Sequence, residues 1–153
     1  MPQPHPPFAE KEQQLISDLL LLPGPQERLA ALMERTHRHH LPQACKSPER
    51  RIPGCVSGVW VEISPQPDGT HLFTCDADSP LVKGLAAALC DLFSHCPTAE
   101  ILSATVTLWQ ATQLQQTLSP TRLAGLAALR QRLAHLAAAA ASPPSVISSA
   151  PQE

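Results

Sequence analysis

The sequence has no tyrosine, and its phenylalanine and tryptophan together reach only 3% of the residues. So few aromatic rings exclude a series of stacking platforms for single-stranded nucleic acid. Clustered positive charge is missing as well: 11 basic residues face 13 acidic ones, for a net charge of −2, and no basic stripe runs along any segment. A surface that neutralises phosphates needs such clustering, so nucleic acid is not expected as a partner. No apolar run approaches the roughly 20 residues of a membrane span. The opening stretch, Met1-Pro2-Gln3-Pro4-His5-Pro6-Pro7, has neither the basic n-region nor the apolar h-region of a secretory signal. These absences predict a cytoplasmic protein with no membrane partner. Cysteines number five (Cys45, Cys55, Cys75, Cys90 and Cys96), but none form a C-x-x-C pair and none sit at zinc-finger spacing. An odd count in such a setting predicts neither a disulfide framework nor a metal site.

What is present fits one domain, since 153 residues can bury their own core. The proline-rich residues 1–7 and the Ser/Pro/Ala-rich residues 142–153 are expected to be disordered, leaving a domain over 8–141. Phe8, Leu15, Ile16, Leu19 and Leu20, with Glu12 as the one polar member, recur at helical spacing until Pro23-Gly24-Pro25. A second helix is expected from Pro25, with Leu29, Leu32 and Met33 on its apolar face, fading over Thr36-His37-Arg38-His39-His40 before Pro42. His37 and His40 share a helical face, but two histidines without a neighbouring carboxylate or thiolate read as a solvated helix end. Val56–Ser64 and Thr70–Cys75 read as antiparallel strands around Asp68-Gly69, and Arg50–Pro53 as a short additional strand. Asp78 or Ser79 can cap a long helix that begins at Pro80 and carries Leu81, Leu85, Ala88, Leu89 and Leu92 on its stripe. Cys90 belongs to its core side, and Cys96 marks its end. Short helices are expected from Pro97, capped by Thr98, and over Thr107–Leu114. A last helix, capped by Ser119, buries Leu123, Leu126, Leu129, Leu133 and Leu136. The result is an α+β fold with a small three-stranded antiparallel sheet packed against helices.

The stretch Arg51-Ile52-Pro53-Gly54-Cys55-Val56-Ser57-Gly58-Val59-Trp60 stands apart. Pro53 fixes its own φ and extends Ile52, and Gly54 opens backbone shapes closed to other residues. Cys55 is therefore presented on a tight loop at the edge of a strand, a placement that suits a reactive group. The same spacing also fits a loop cysteine without a task or a small buried hydrophobe. Cys45, on the preceding polar loop, is within reach of swinging towards it.

Three ordered blocks decide between these. Gly54-Cys55-Val56-Ser57-Gly58-Val59-Trp60 resembles the G-C-x-S-x-V-W signature of SufE-type sulfur acceptors. Asp76-Ala77-Asp78-Ser79-Pro80-Leu81-Val82-Lys83-Gly84-Leu85 is similar to the family's G-D-S-D-A-x-I-V-K-G-L run. Leu118-Ser119-Pro120-Thr121-Arg122-Leu123-Ala124-Gly125-Leu126 is similar to its L-S-x-x-R-x-x-G-L run. The resemblance extends from about Leu15 to His135 and implies a SufE/IscU-like fold. It implies a persulfide acceptor on Cys55 that binds and stimulates a PLP-dependent cysteine desulfurase of the SufS/CsdA type and relays sulfur towards an iron–sulfur scaffold. The chain itself would carry no cofactor and act as a sulfur carrier, monomeric or weakly dimeric, more than as a free-standing enzyme. Arg122 is implied as a desulfurase-binding residue, with Asp76, Asp78 and Lys83 beside the acceptor loop. Capping alone also accounts for Asp78, and Gly84 and Gly125 suit close packing. Cys75 replaces the family's glycine, read first as a tolerated substitution and second as a resolving thiol or second sulfur relay. The alternative function is an IscU-like iron–sulfur or zinc scaffold drawing on Cys55, Cys75 and a histidine. A thiol hydrolase using Cys55 finds no adjoining histidine.

Overall fold

Helix α1 (Phe8–Leu20) buries Phe8, Glu12, Leu15, Ile16 and Leu19 along one side. α2 (Pro25–Met33) follows after a short turn, with proline in its first turn where the missing N–H forfeits no bond. The computed structural model describes residues 5–55 and 57–141. Part of the proline-rich start, the expected strand residue Val56 and the whole Ser/Pro/Ala tail therefore lie outside the described residues. Two buried charged side chains tie the helical cover to the rest. The Glu12 carboxylate accepts from the backbone N–H groups of Thr107 (2.7 Å) and Leu108 (3.0 Å). The buried Arg28 guanidinium donates to the carbonyls of Leu19, Leu22 and Thr112 at 2.9–3.1 Å. Both ions are thus hydrogen-bonded where water is excluded, as burial requires.

The sheet consists of β1 (Val59–Pro65) and β2 (His71–Ala77), antiparallel, with Val59 opposite Ala77, Val61 opposite Cys75 and Ile63 opposite Phe73. Gly69 closes the hairpin at φ +86°, and the Asp68 carboxylate accepts from the Thr70 N–H at 3.0 Å. The expected third strand does not form among the described residues. Ile52 N–H donates to the Val59 carbonyl at 2.9 Å, but Pro48–Arg50 is a 3-10 turn and Pro53-Gly54 bends the chain away. A proline without an N–H cannot extend that ladder. At the other edge, Cys96 makes an isolated bridge to His71.

Two strands alone are marginal in water and need a covering layer. α3 (Pro80–Phe93) supplies it, packing chiefly on β2 and burying Leu85, Leu89, Cys90, Leu92 and Phe93. Ser79 is its cap, accepting from the Val82 N–H at 3.4 Å. Gly84 lets α2 approach: a Cβ there would stand 2.9 Å from the Met33 Cα. α4 (Thr98–Ser103) has no side-chain cap, because the Thr98 hydroxyl instead meets His71 and the Ala137 carbonyl. The helix expected over Thr107–Leu114 is two short ones, α5 (Leu108–Ala111) and α6 (Leu114–Thr117), separated by Gln113 at φ +64°. α7 (Pro120–Ala141) buries Gly125, Leu126, Leu129, Leu133 and Ala137. Its start is as expected, with the Ser119 Oγ accepting from the Arg122 N–H at 3.2 Å.

The stretch after α2 departs from expectation. The helix ends at Met33 and continues as a 3-10 turn, Glu34–Thr36. His39 is not solvated but 3% exposed. Its Nε2–H donates to Asp91 Oδ1 at 2.8 Å, and its Nδ1 accepts from the Cys75 N–H at 3.2 Å. Asp91 lies 52 positions away in sequence, so no local pattern announces the pair.

Candidate functional site

Ile52 anchors the loop by burying its side chain, at 1% exposure, while Gly54 turns the backbone at φ +89°. This combination turns Cys55 onto α7. Its thiol donates to the Gly125 carbonyl at 3.6 Å, and a Cβ at Gly125 would stand 3.2 Å from Cys55 Sγ. The missing side chain of Gly125 is thus what admits the sulfur. Gly58 has a similar task at the base of the loop. A Cβ there would meet the Trp60 ring at 2.4 Å and Asp78 Oδ2 at 2.5 Å.

Cys55 is half-buried, and burial raises its thiol above the usual range, with the Arg51 guanidinium pulling the other way. Desolvation disfavours the charged form, so the docked side chain is held as the thiol. Beside it opens a cavity of about 300 Å³. Its walls are Val59 from β1, Val82, Leu85 and Ala86 from α3, and Leu126 and Leu129 from α7; Ser57, Ser119, Thr121 and Arg122 add polar groups. Among the described residues lining it, Cys55 is the one thiol.

The structure brings Cys55 and Arg122 to this one cavity, while the other expected site residues, Asp76, Asp78, Lys83 and Cys75, are not among its lining. Asp76, 5% exposed, is a hub. Its carboxylate accepts from the N–H groups of Leu41 (3.0 Å) and Ala77 (2.9 Å) and pairs with Lys46 and Lys83, each at 3.4 Å. Burial pushes this carboxyl up, but the two amides and two ammonium groups outweigh it and hold it below the usual carboxylate range. The hub fixes the segment from Leu41 to Lys46, and the Trp60 indole secures the next stretch by donating to the Ser47 carbonyl at 2.8 Å. Both lead into the Cys55 loop. Asp78 is exposed, and its N–H donates to the Gly58 carbonyl at 2.9 Å, at the loop base.

Cys75 is fully buried at the sheet–α3 interface. The Cys90 side chain hydrogen-bonds to it and pulls its thiol below the usual range, against burial. Cys45 is half-buried at the end of a 3-10 turn. Sequence reasoning did not mark Gly125 as the contact of the thiol, nor Lys46 as a partner of Asp76. The first needs the helix docked against the loop; the second joins positions 30 apart.

An α+β hairpin domain that presents one half-buried thiol to an apolar cavity defines a class of thiol-presenting domains. The chain belongs to the SufE family: the family model described as an Fe-S metabolism associated domain matches residues 13–137. This membership places it in iron–sulfur metabolism. The chain is 42% identical over 81 residues to the SufE-like protein 1, chloroplastic/mitochondrial, of Arabidopsis thaliana, covering 53% of this chain and 22% of that protein. It is 34% identical over 103 residues to a chloroplastic quinolinate synthase of Nicotiana tabacum, covering 66% of this chain and 14% of the enzyme. The chain thus spans less than a quarter of the length of these two relatives. A solved structure, titled as the solution structure of a hypothetical protein from Thermus thermophilus, superimposes with a TM-score of 0.68 at 21% identity. The match covers 85% of this chain and 95% of the other, a likeness of fold.

Proposed function

We propose that the chain accepts sulfur as a persulfide on Cys55 from a PLP-dependent cysteine desulfurase, stimulates that enzyme, and relays the sulfur towards iron–sulfur cluster assembly in the cytoplasm. The observation that carries this reading is the Cys55 thiol itself, half-buried against Gly125 with a cavity of about 300 Å³ at its side. The chemistry needs little else. The Cys55 thiolate attacks the outer sulfur of the donor persulfide; a new S–S bond forms to Cys55 as the donor's S–S bond breaks. The donor cysteine leaves as thiolate, and no external oxidant or reductant is consumed.

Two demands on the thiol conflict, and a loop with two positions reconciles them. Attack requires a reachable thiolate, whereas the docked Cys55 is shielded and held protonated. The loop therefore swings out to meet the donor and returns to shelter the acquired sulfur among Val59, Leu85 and Leu129. In this reading Arg122 at the cavity and Asp78 at the loop base face the desulfurase, and Asp76, with Lys83 paired to it, supports that surface from beneath. The alternative scaffold role finds no specific support: among the described residues no group of three His, Cys, Asp or Glu side chains comes together as metal ligands.

The test is desulfurase turnover on cysteine with and without this protein, beside a Cys55→Ser variant. Wild type is expected to accelerate sulfur release and to gain the mass of one sulfur atom on Cys55, and the variant to do neither. No effect of either form on several desulfurases sinks the reading.

A further inference from the structure

Adding a sulfur to Cys55 changes what the docked side chain requires. As a thiol it donates to the Gly125 carbonyl at 3.6 Å. In the persulfide the inner sulfur carries no hydrogen, so that bond disappears. The outer sulfur, more acidic than a thiol, carries the charge instead. It cannot turn towards α7, where even a Cβ at Gly125 would stand 3.2 Å from Sγ. The open direction is the cavity, whose volume of about 300 Å³ holds several water-sized groups.

Its mostly apolar wall opposes an anion. Arg122 is the exception. It lies three residues before Gly125 on α7, on the same helical face. It lines the cavity and is half-buried. Among the described residues, no carboxylate forms an ion pair with its guanidinium. A cation at an apolar cavity without an internal anion fits an anion that arrives with the chemistry. We propose that the cavity is a binding site for the persulfide anion of Cys55, with Arg122 as its counter-charge. This rests on the acceptor reading above and gives Arg122 a task within the chain, before any partner docks.

The experiment loads sulfur chemically, so that partner docking cannot influence it. In a Cys45→Ser background, inorganic tetrasulfide gives the Cys55 thiolate a terminal sulfur, and a trisulfide dianion leaves. Peptide mass mapping locates the added sulfur. The near-ultraviolet absorbance of the persulfide anion is then titrated with pH. Arg122→Gln is expected to raise the titration midpoint by about one pH unit or more, and Arg122→Lys, which keeps the charge, to restore most of that shift. An unmoved midpoint in Arg122→Gln, with sulfur present on Cys55, overturns this assignment alone. No sulfur on Cys55 in any form overturns the acceptor reading, and the assignment falls with it.

Discussion

At the residue scale, Cys55 is placed in the less reactive of its two protonation states. Burial raises the thiol, whose S–H donates to the Gly125 carbonyl, while Arg51 offsets part of the rise. Alkylation by iodoacetamide should therefore climb with pH along a curve displaced upward from that of a free cysteine. A curve at or below the free-thiol position contradicts the docked geometry. Asp76 has the opposite displacement. Its carboxyl lies below the usual range, so it contributes stability fully at pH above the unfolded value, about 4, and loses it as pH falls through the folded one. Asp76→Ala leaves one buried and one part-buried N–H group and two lysines without their anion and should cost about 2–4 kcal/mol. Urea midpoints at neutral pH and in acid check this: the gap between wild type and variant should narrow in acid, and a gap of constant size removes the electrostatic account.

At the scale of elements, two glycines in helices have different tasks, and alanine separates them. Gly84 faces backbone: a Cβ would stand 2.9 Å from the Met33 Cα and 3.0 Å from its N. Backbone cannot give way locally, so Gly84→Ala should lower stability by about 1–3 kcal/mol, despite the roughly 1 kcal/mol that alanine offers a helix. Gly125 faces the end of one side chain on a loop, the Cys55 Sγ at 3.2 Å. Gly125→Ala should keep or slightly raise the thermal midpoint while displacing the thiol, so that Cys55 alkylates several-fold faster at neutral pH. Equal loss of stability in both variants would mean that the loop is as rigid as the helix pair. The helices that punctuation marks were legible in sequence: Ser79-Pro80 and Ser119-Pro120 cap α3 and α7 where expected. So were the alternating hairpin and the thiol's loop. The split of Thr107–Leu114 was not, because helices of four residues show no periodicity. The third strand was overread from Ile52, whose single bond to Val59 is a fragment of ladder that Pro53 cannot extend. Asp76 was legible as a family position, but its role as a hub required the fold to bring Lys46, Lys83 and Leu41 together.

For the whole molecule, the proposed sulfur uptake raises the question of which of the five thiols can react in the folded state. Acidity does not sort them: Cys75 is drawn below the usual thiol range by Cys90, whereas Cys55 is raised above it. Access does. Cys75, Cys90 and Cys96 are each 0% exposed beneath the helical cover, while Cys45 and Cys55 are half-buried. A thiolate reacts only where a partner sulfur can approach in line, so an acidic thiol sealed in the core is inert until the core opens. Brief alkylation of the folded protein followed by peptide mapping should therefore mark Cys45 and Cys55 and spare the other three, which become reactive together on unfolding. Cys75→Ser should leave sulfur uptake at Cys55 unchanged and lower stability, since it places a hydroxyl against Cys90 in an apolar interior. Native-state labelling of Cys75, or a loss of uptake in Cys75→Ser at unchanged stability, would mean that the sheet–α3 interface opens on the timescale of transfer, and Cys75 would then take part as a second thiol.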